Sequence, residues 1–320
     1  MAKLVTVFGA SGFLGRHVVR ELAKRGHRVR AAVRHPHQAV FLQPMGVVGQ
    51  IHLFQSNIRY RHSVADALAG ADACVNLVGI LAPKGKQKFD TVQAKGAEFV
   101  AEECAREGIT NLVHVSAIGA DKDSDSDYAR TKGEGEEAVR RNVPAASIVR
   151  PSIVFGPQDE FFNKFAAMAR ISPVLPLIGG GKTRFQPVYV DDVADAIVKL
   201  IDGEAPAGEI YELGGPEILT FKECLELMLK IIDRRRLLVP VPWPVAEAMG
   251  AAGSLASRLP FVEAPITADQ VKLLRKDNVV GEGVKTFADL GIEPETLDAI
   301  LPTYLFRYRK HGQFSPEVPV

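Results

Sequence analysis

Leu4-Val5-Thr6-Val7-Phe8-Gly9-Ala10-Ser11-Gly12-Phe13-Leu14-Gly15 is an apolar, β-branched run that ends in three glycines spaced three apart. The chain then enters a helical pattern through Arg16, Val18, Val19, Leu22 and Ala23. The stretch reads as a strand, a tight turn and a helix start. Gly9 can take a turn geometry that a side chain forbids, Gly12 lets backbone approach a pyrophosphate, and Gly15 lets the helix lie close on the strand. Free N–H groups of the first helical turn then face phosphates, so Ser11, Phe13 and Leu14 join the three glycines as expected cofactor contacts. Glycines alone also fit an ordinary βα turn; their setting between strand and helix is what points to a nucleotide.

Working outward, Arg28 to Val33 reads as a second strand that ends in Arg34 where an acid would receive a ribose 2′-hydroxyl. An arginine there can neutralise a 2′-phosphate, which favours NADP over NAD, with Arg16 assisting. The plainer reading is a surface arginine beside His35 and His37. Ile51 to Phe54 is a third strand, followed by Asn57, which suits either an adenine edge or a turn. A helix near 63–69, a strand from Ala73 through Val78 to Gly79, a long helix over 89–106 and a fifth strand over 111–116 continue the alternation. Strands alternating with helical patterns predict a parallel, doubly wound α/β sheet. Gly79 lets the chain pass close to a ribose, and Ser116 ends the fifth strand.

Tyr128 and Lys132 open the next helix, four apart and so on one face. An ammonium near a phenol favours phenolate, which makes Tyr128 a candidate acid/base, while Lys132 can hold the nicotinamide ribose.

The 320 residues are 47% hydrophobic and 24% charged, enough for one large domain or two closely packed ones. Net charge is +1, which excludes a global field for nucleic acid. Cys74, Cys104 and Cys224 lie far apart along the chain with no CxxC spacing, and read as buried thiols in a reducing compartment, without a disulfide or metal. No signal or transit peptide is expected before the first strand, and no segment reaches the length of a spanning helix. Pro240, Pro242 and Pro244 break the most apolar stretch, 237–259.

Taken together, the glycine turn, Asn76-Leu77-Val78-Gly79, Tyr128/Lys132 and Arg150-Pro151-Ser152-Ile153-Val154-Phe155-Gly156-Pro157 resemble the extended and atypical short-chain dehydrogenase/reductase superfamily. Residues 176–183, Gln186-Pro187-Val188-Tyr189-Val190-Asp191-Asp192-Val193, residues 261–271 and Asp289-Leu290-Gly291-Ile292 are similar to the nucleotide-binding accessory subunits of respiratory complex I. The resemblance spans nearly the whole chain. It implies tightly held NADPH, a Rossmann-type fold with a smaller, mainly helical C-terminal lobe, and a non-catalytic role. It further implies complex I subunits on the peripheral arm as partners and a contact with the membrane surface. With no transit peptide expected, the location is the cytoplasmic side of a bacterial inner membrane. The implied binding set adds Val78, Gly79, Ser116, Tyr128, Lys132 and Pro151 to the glycine turn, Arg34 and Asn57.

Two departures from active relatives fit that role: Ala117 follows Ser116 where a second hydroxyl is usual, and the 119–127 loop is short and acidic. The alternatives are an active NADP-dependent reductase or nucleotide-sugar epimerase/dehydratase using Tyr128 as acid, and an NADP(H)-sensing regulator.

The expected domains are 1–157, completed by about 185–215, and a lobe of about 158–184 and 216–320. Within them, 185–190 is a strand, Asp191 or Asp192 caps a helix over 193–201, and 210–213 is a last strand. Thr220 caps a helix over 221–232 that runs into Arg234-Arg235-Arg236, a solvated end or a contact for anionic lipid or a partner. Trp243 reads as core or as an interface anchor, and 297–308 as a core-facing helical stripe. The 314–320 tail is expected to dock on a neighbour.

Overall fold

The computed structural model describes residues 2–256 and 266–314. The motif at 261–265, the end of the 237–259 stretch and the tail 315–320 lie outside the described residues. The chain divides into two compact units: Met1–Pro151 with Asp191–Leu213 and Gly281–Glu293, and Ser152–Val190 with Gly214–Val280 and Pro294–Val320. These units differ from the expected boundaries in three places. The first passage between units falls at 151/152 and not 157, residues 185–190 belong to the second unit, and 281–293 return to the first. That return is pinned by both the main chain and the side chain of Glu212: Glu212 N donates to Lys285 O at 2.8 Å, and Gly281 N donates to Glu212 Oε2 at 2.9 Å.

In the first unit the strands are β1 (Leu4–Phe8), β2 (Arg28–Val33), β3 (Ile51–Gln55), β4 (Ala73–Asn76), β5 (Leu112–Val115), β6 (Ser147–Pro151) and an edge strand, Ile210–Leu213. Their order, from the edge strand, is β6, β5, β4, β1, β2, β3, all parallel. The order reverses between β1 and β4, the switch point at which open α/β sheets bind ligands beyond the strands' carboxyl ends. Helices α1 (Phe13–Lys24), α2 (Arg61–Leu68), α3 (Lys95–Arg106) and α4 (Asp127–Asn142) cover the sheet with Val190–Asp202. β1 is buried from Val5 to Phe8, as a strand covered on both faces must be.

Three elements of this unit differ from the periodicity-based expectation, the first being the strand expected to run from Ala73 to Gly79, which ends at Asn76. The 89–106 segment begins with a π-helical turn, Asp90–Ala94, before α3. The helix expected over 193–201 starts at Val190, so Asp191 and Asp192 lie in its first turn and do not cap it. Asp191 instead receives Arg20 Nη2 at 2.5 Å and contacts His17, tying α1 to this helix.

The second unit has its own core, in which Phe162, Leu175, Phe221, Leu225, Met228, Leu301 and Leu305 are buried. Its helix Phe221–Ile231 opens with a full capping box, Thr220 with Glu223. The strand expected over 185–190 is two short strands, Arg184–Phe185 and Val188–Tyr189. Pro187 brings no N–H, and Gln186 turns its side chain to Val280 N (3.0 Å) and Gly215 O (2.8 Å), which ends the ladder between them. Trp243 lies at the edge of a small cluster with Ile178, Ala246 and Val271. Leu297, Leu301, Tyr304 and Leu305 are buried, so that helical stripe is core.

All three cysteines are free and buried. Cys74 and Cys104, distant in sequence, share one buried cluster between β4 and α3, and burial, with Cys104 beside it, pushes the Cys74 thiol well up. No helix among the described residues is long and apolar enough to cross a membrane, and no metal-ligand cluster occurs among them.

Candidate functional site

Apart from Tyr128 and Lys132, which lie on α4, every candidate residue sits at or just past the carboxyl end of a parallel strand. Gly9 follows β1 with φ +81°, a left-handed conformation that glycine adopts freely. Gly12 N donates to Gly9 O at 3.0 Å, closing the turn. A Cβ on Gly15 would lie 2.2 Å from Gly9 O and 2.7 Å from Ala10 O, so only glycine lets α1 approach the turn this closely. A Cβ on Gly9 would meet Leu77 and Val78, which places the β1 and β4 ends in contact. Ser11, Gly12, Phe13 and Leu14 are exposed or half-buried around this turn.

Arg34 stands at the end of β2, exposed and with no hydrogen bond or ion pair to any described residue. Arg16 donates to Gly12 O (3.3 Å) and Ser11 O (3.5 Å), and its guanidinium lies 4.8 Å from the centre of the Phe41 ring. That stack extends the basic rim of the turn, and Phe41 carried no motif that would have singled it out. Asn57 takes the turn role: its Oδ1 accepts from Arg59 N (3.2 Å) and Nε (3.3 Å).

At the other side of the switch point, Gly79, Ser116 and Lys132 converge. A Cβ on Gly79 would sit 3.2 Å from Lys132 Nζ, and Lys132 Nζ donates to Val115 O at 3.1 Å. Ser116 N continues the ladder to Val149 O (2.7 Å), and Ile118 N reaches Pro151 O (3.1 Å), which draws the β5 and β6 ends together. Ser116 is 4% exposed, yet its hydroxyl has no hydrogen-bond partner. His114, two residues back and so on the same face of the strand, shares this feature. Its Nδ1 accepts from the Asn76 amide (3.2 Å), which leaves the proton of the neutral ring on Nε2, and Nε2 is unpartnered. Burial, with Lys132 nearby, pushes His114 down to about 3. A buried histidine in an otherwise apolar strand, in alternation with Ser116, is the sequence signal that would have found it.

Tyr128 and Lys132 share one face of α4, and Ser126 caps that helix. The expectation of a favoured phenolate is not met. Enclosure of the Tyr128 phenol pushes it up to about 12, while burial lowers Lys132 to about 8 against the opposing pull of Glu136. Desolvation of the phenolate outweighs any help from the ammonium, so Tyr128 is a protonated phenol at neutral pH. Glu136, one turn after Lys132, is held by Arg150 Nε (2.9 Å) and Nη2 (2.7 Å), and Arg150 Nη1 reaches Glu212 (3.3 Å). This ion network supports α4 beneath the site.

An orphaned buried hydroxyl, a turn in which a Cβ would clash, and a buried ammonium against Gly79 form a donor set that fits a dinucleotide laid across the strand ends. Residues 5–214 match the family described as NAD dependent epimerase/dehydratase family. The chain is 36% identical over 318 residues to the Arabidopsis thaliana protein named NADH dehydrogenase (ubiquinone) 1 alpha subcomplex subunit 9, mitochondrial, covering 97% of this chain and 79% of that one. It is also 34% identical over 196 residues to a Caulobacter vibrioides protein named ceramide reductase, covering 61% of this chain and 60% of that one. Among solved structures, a UDP-glucose 4-epimerase from Thermotoga maritima superposes with a TM-score of 0.70 at 18% identity, over 96% of this chain and 99% of that one. The glycine turn, the parallel sheet and these matches agree, and the chain belongs to the NAD dependent epimerase/dehydratase family, with the extended short-chain dehydrogenase/reductase fold.

Proposed function

We propose that this chain is an accessory subunit of a bacterial respiratory complex I that holds NADP(H) as a resident nucleotide without turning it over. The observation that carries the reading is similarity over nearly its whole length to a protein named as a subunit of NADH dehydrogenase (ubiquinone). In this reading the chain sits on the peripheral arm, at the cytoplasmic face of the inner membrane. Gly9, Gly12, Gly15 and the Ser11, Phe13 and Leu14 backbone hold the pyrophosphate. Arg34, with Arg16, neutralises a 2′-phosphate; Asn57 lies toward the base. Val78, Gly79, Ser116, Tyr128, Lys132 and Pro151 enclose the nicotinamide ribose. When bound, such a nucleotide supplies a hydride donor or acceptor. This chain's residues orient it: Ser116 accepts or donates at a ribose hydroxyl, Lys132 presents an ammonium, and Tyr128 keeps its proton. Ala117 brings no second hydroxyl for a substrate oxygen. A ligand held only by the folded state stabilises it by about 4 kcal/mol at a thousandfold excess over its dissociation constant, a role that requires no hydride transfer.

The test is purification of the tagged chain from gently solubilised membranes, followed by a native gel stained for NADH dehydrogenase activity. Migration with the active band is expected; recovery only as a free protein overturns the subunit reading. Nucleotide extracted from the same sample should be NADP(H), and Arg34→Ala should cut NADPH retention about tenfold or more while leaving NADH binding unchanged. Equal loss of both removes the 2′-phosphate role. Similarity to a ceramide reductase, with Tyr128 and Lys132 both in place, favours a second reading as an active reductase. That reading requires carbonyl-dependent NADPH consumption that Tyr128→Phe abolishes.

A further inference from the structure

In the second unit the strand Leu237–Val241 pairs in parallel with Val174–Ile178, and Leu237 lies directly opposite Val174. Leu237 N donates to Pro173 O at 3.0 Å, which fixes this corner. Ile171, at the end of the helix Phe162–Ile171, is 90% exposed, Leu237 65% and Val174 37%. Three aliphatic side chains therefore stand in water at one corner, where burial would be favourable.

The same corner carries Arg170, Arg234, Arg235 and Arg236. Arg236 Nε donates to Ala169 O (2.7 Å) and Arg234 Nε to Tyr308 O (2.9 Å), so both guanidiniums are anchored there. Arg170 and Arg235 are exposed. None of the four has an ion pair among the described residues. Arg234 is lowered from the usual guanidinium value by burial and by the like charges of Arg236 and Arg170, which marks the arginines as neighbours in space. Lys230 adds a further exposed cation, and Asp233 is the acid in this turn, also exposed and paired with none of them.

We infer that this corner is a docking face for a phospholipid surface of net negative charge, with Ile171, Leu237 and Val174 entering the headgroup layer and the arginines meeting the phosphates. The inference deepens the membrane-side location proposed above and rests on it. Size favours lipid over a protein partner: three side chains offer on the order of a few hundred Å², against about 800 Å² per partner in a standard protein interface. A bilayer needs only a few inserted apolar groups beside a basic cluster.

The experiment is flotation of the full-length chain with phosphatidylcholine vesicles, with and without phosphatidylglycerol. The chain should float only with the anionic vesicles, and high salt should release it. Arg170→Gln with Arg235→Gln should weaken binding about 25-fold, roughly fivefold per charge. Leu237→Asp, at an exposed position, should abolish flotation at low salt while leaving the melting temperature within a few degrees of wild type. Equal flotation with neutral vesicles, or unchanged binding in both variants, overturns the inference. So does displacement by inorganic phosphate at constant ionic strength, which would mean a phosphate site and not a lipid face. A dimer that Leu237→Asp converts to monomer would mean that a second copy covers the corner, and also overturns it. Nucleotide content and migration with complex I, measured on the same preparations, separate this failure from failure of the proposed function.

Discussion

Two buried polar clusters, one in each unit, are built from similar chemistry and finished differently. In the second unit Asp159 Oδ2 accepts from Tyr304 Oη (2.6 Å) and Gly156 N (3.3 Å), and Oδ1 accepts from Asn163 N (3.1 Å). Asn163 Nδ2 then donates to Asp159 O (3.1 Å), while Arg307 donates to Asn163 Oδ1 (2.5 Å) and Pro157 O (3.0 Å). In the first unit the Ser116 hydroxyl and His114 Nε2 are just as buried and have no partner. A buried polar atom left alone costs about 1–3 kcal/mol, so a stable fold keeps one where a ligand completes it. The finished cluster serves stability, and the unfinished one lies at the candidate site.

The largest expected effect sits at the glycine turn that frames the unfinished cluster. Gly15→Val places a Cβ inside two carbonyl oxygens that cannot move without displacing β1 or α1. It should cost about 4 kcal/mol or more, and nucleotide content should fall with it. A thermal melt and extraction of bound nucleotide from the purified variant check both. A stable Gly15→Val protein that retains nucleotide would show that the close approach of α1 is not needed.

Acid sharpens the comparison next. His114 titrates at about 3 when folded, below the usual histidine value of about 6.5, because burial and Lys132 oppose its charge. The unfolded chain therefore takes up this proton first. The histidine's stabilisation is complete above about pH 6.5 and is lost as pH falls toward 3, at up to about 1.4 kcal/mol per pH unit. Denaturation midpoints of wild type and His114→Gln, compared from pH 7 to 5, should show the wild type falling more steeply. Parallel curves would mean that the ring is hydrated, not enclosed.

The finished cluster gives the converse result. Tyr304→Phe removes the hydroxyl from Asp159 and leaves a buried carboxylate short of a donor, at a cost of about 2 kcal/mol. Nucleotide retention should be unchanged, since no candidate binding residue lies in that cluster. A variant that loses nucleotide in proportion to its stability would dissolve the distinction between the two clusters.

Much of the first unit was legible because two signals are local. Hydrophobic periodicity located β1 to β5 and the edge strand Ile210–Leu213, and glycine at a fixed offset from β1 located the turn; β6 was not read as a strand. Strand ends in a parallel sheet necessarily gather at one end, so Arg34, Gly79 and Ser116 could be grouped from their positions, while Val78 and Pro151 entered only through the family resemblance. What was not legible depends on contacts between distant segments. A π-helical turn at Asp90–Ala94 has nearly the same apolar spacing as an α-helix, and the return of 281–293 rests on hydrogen bonds to Glu212. The Cys74 and Cys104 contact follows from β4 lying under α3, and the lowered Lys132 from its burial. None of these leaves a periodic trace.

The smallest stability effect is also the most direct test of the comparison. Ser116→Ala removes an oxygen that, without ligand, satisfies nothing, so the nucleotide-free protein should keep its stability to within about 1 kcal/mol or gain slightly. The nucleotide-loaded protein should lose the stabilisation that the hydroxyl provides, and NADPH should dissociate several-fold faster. The sign difference between the two states is the informative quantity, because a merely structural serine would lower both melting temperatures together. If stripping the nucleotide leaves wild type and variant equally far apart, Ser116 is paired by water in place of ligand, and the unfinished cluster no longer singles out the site.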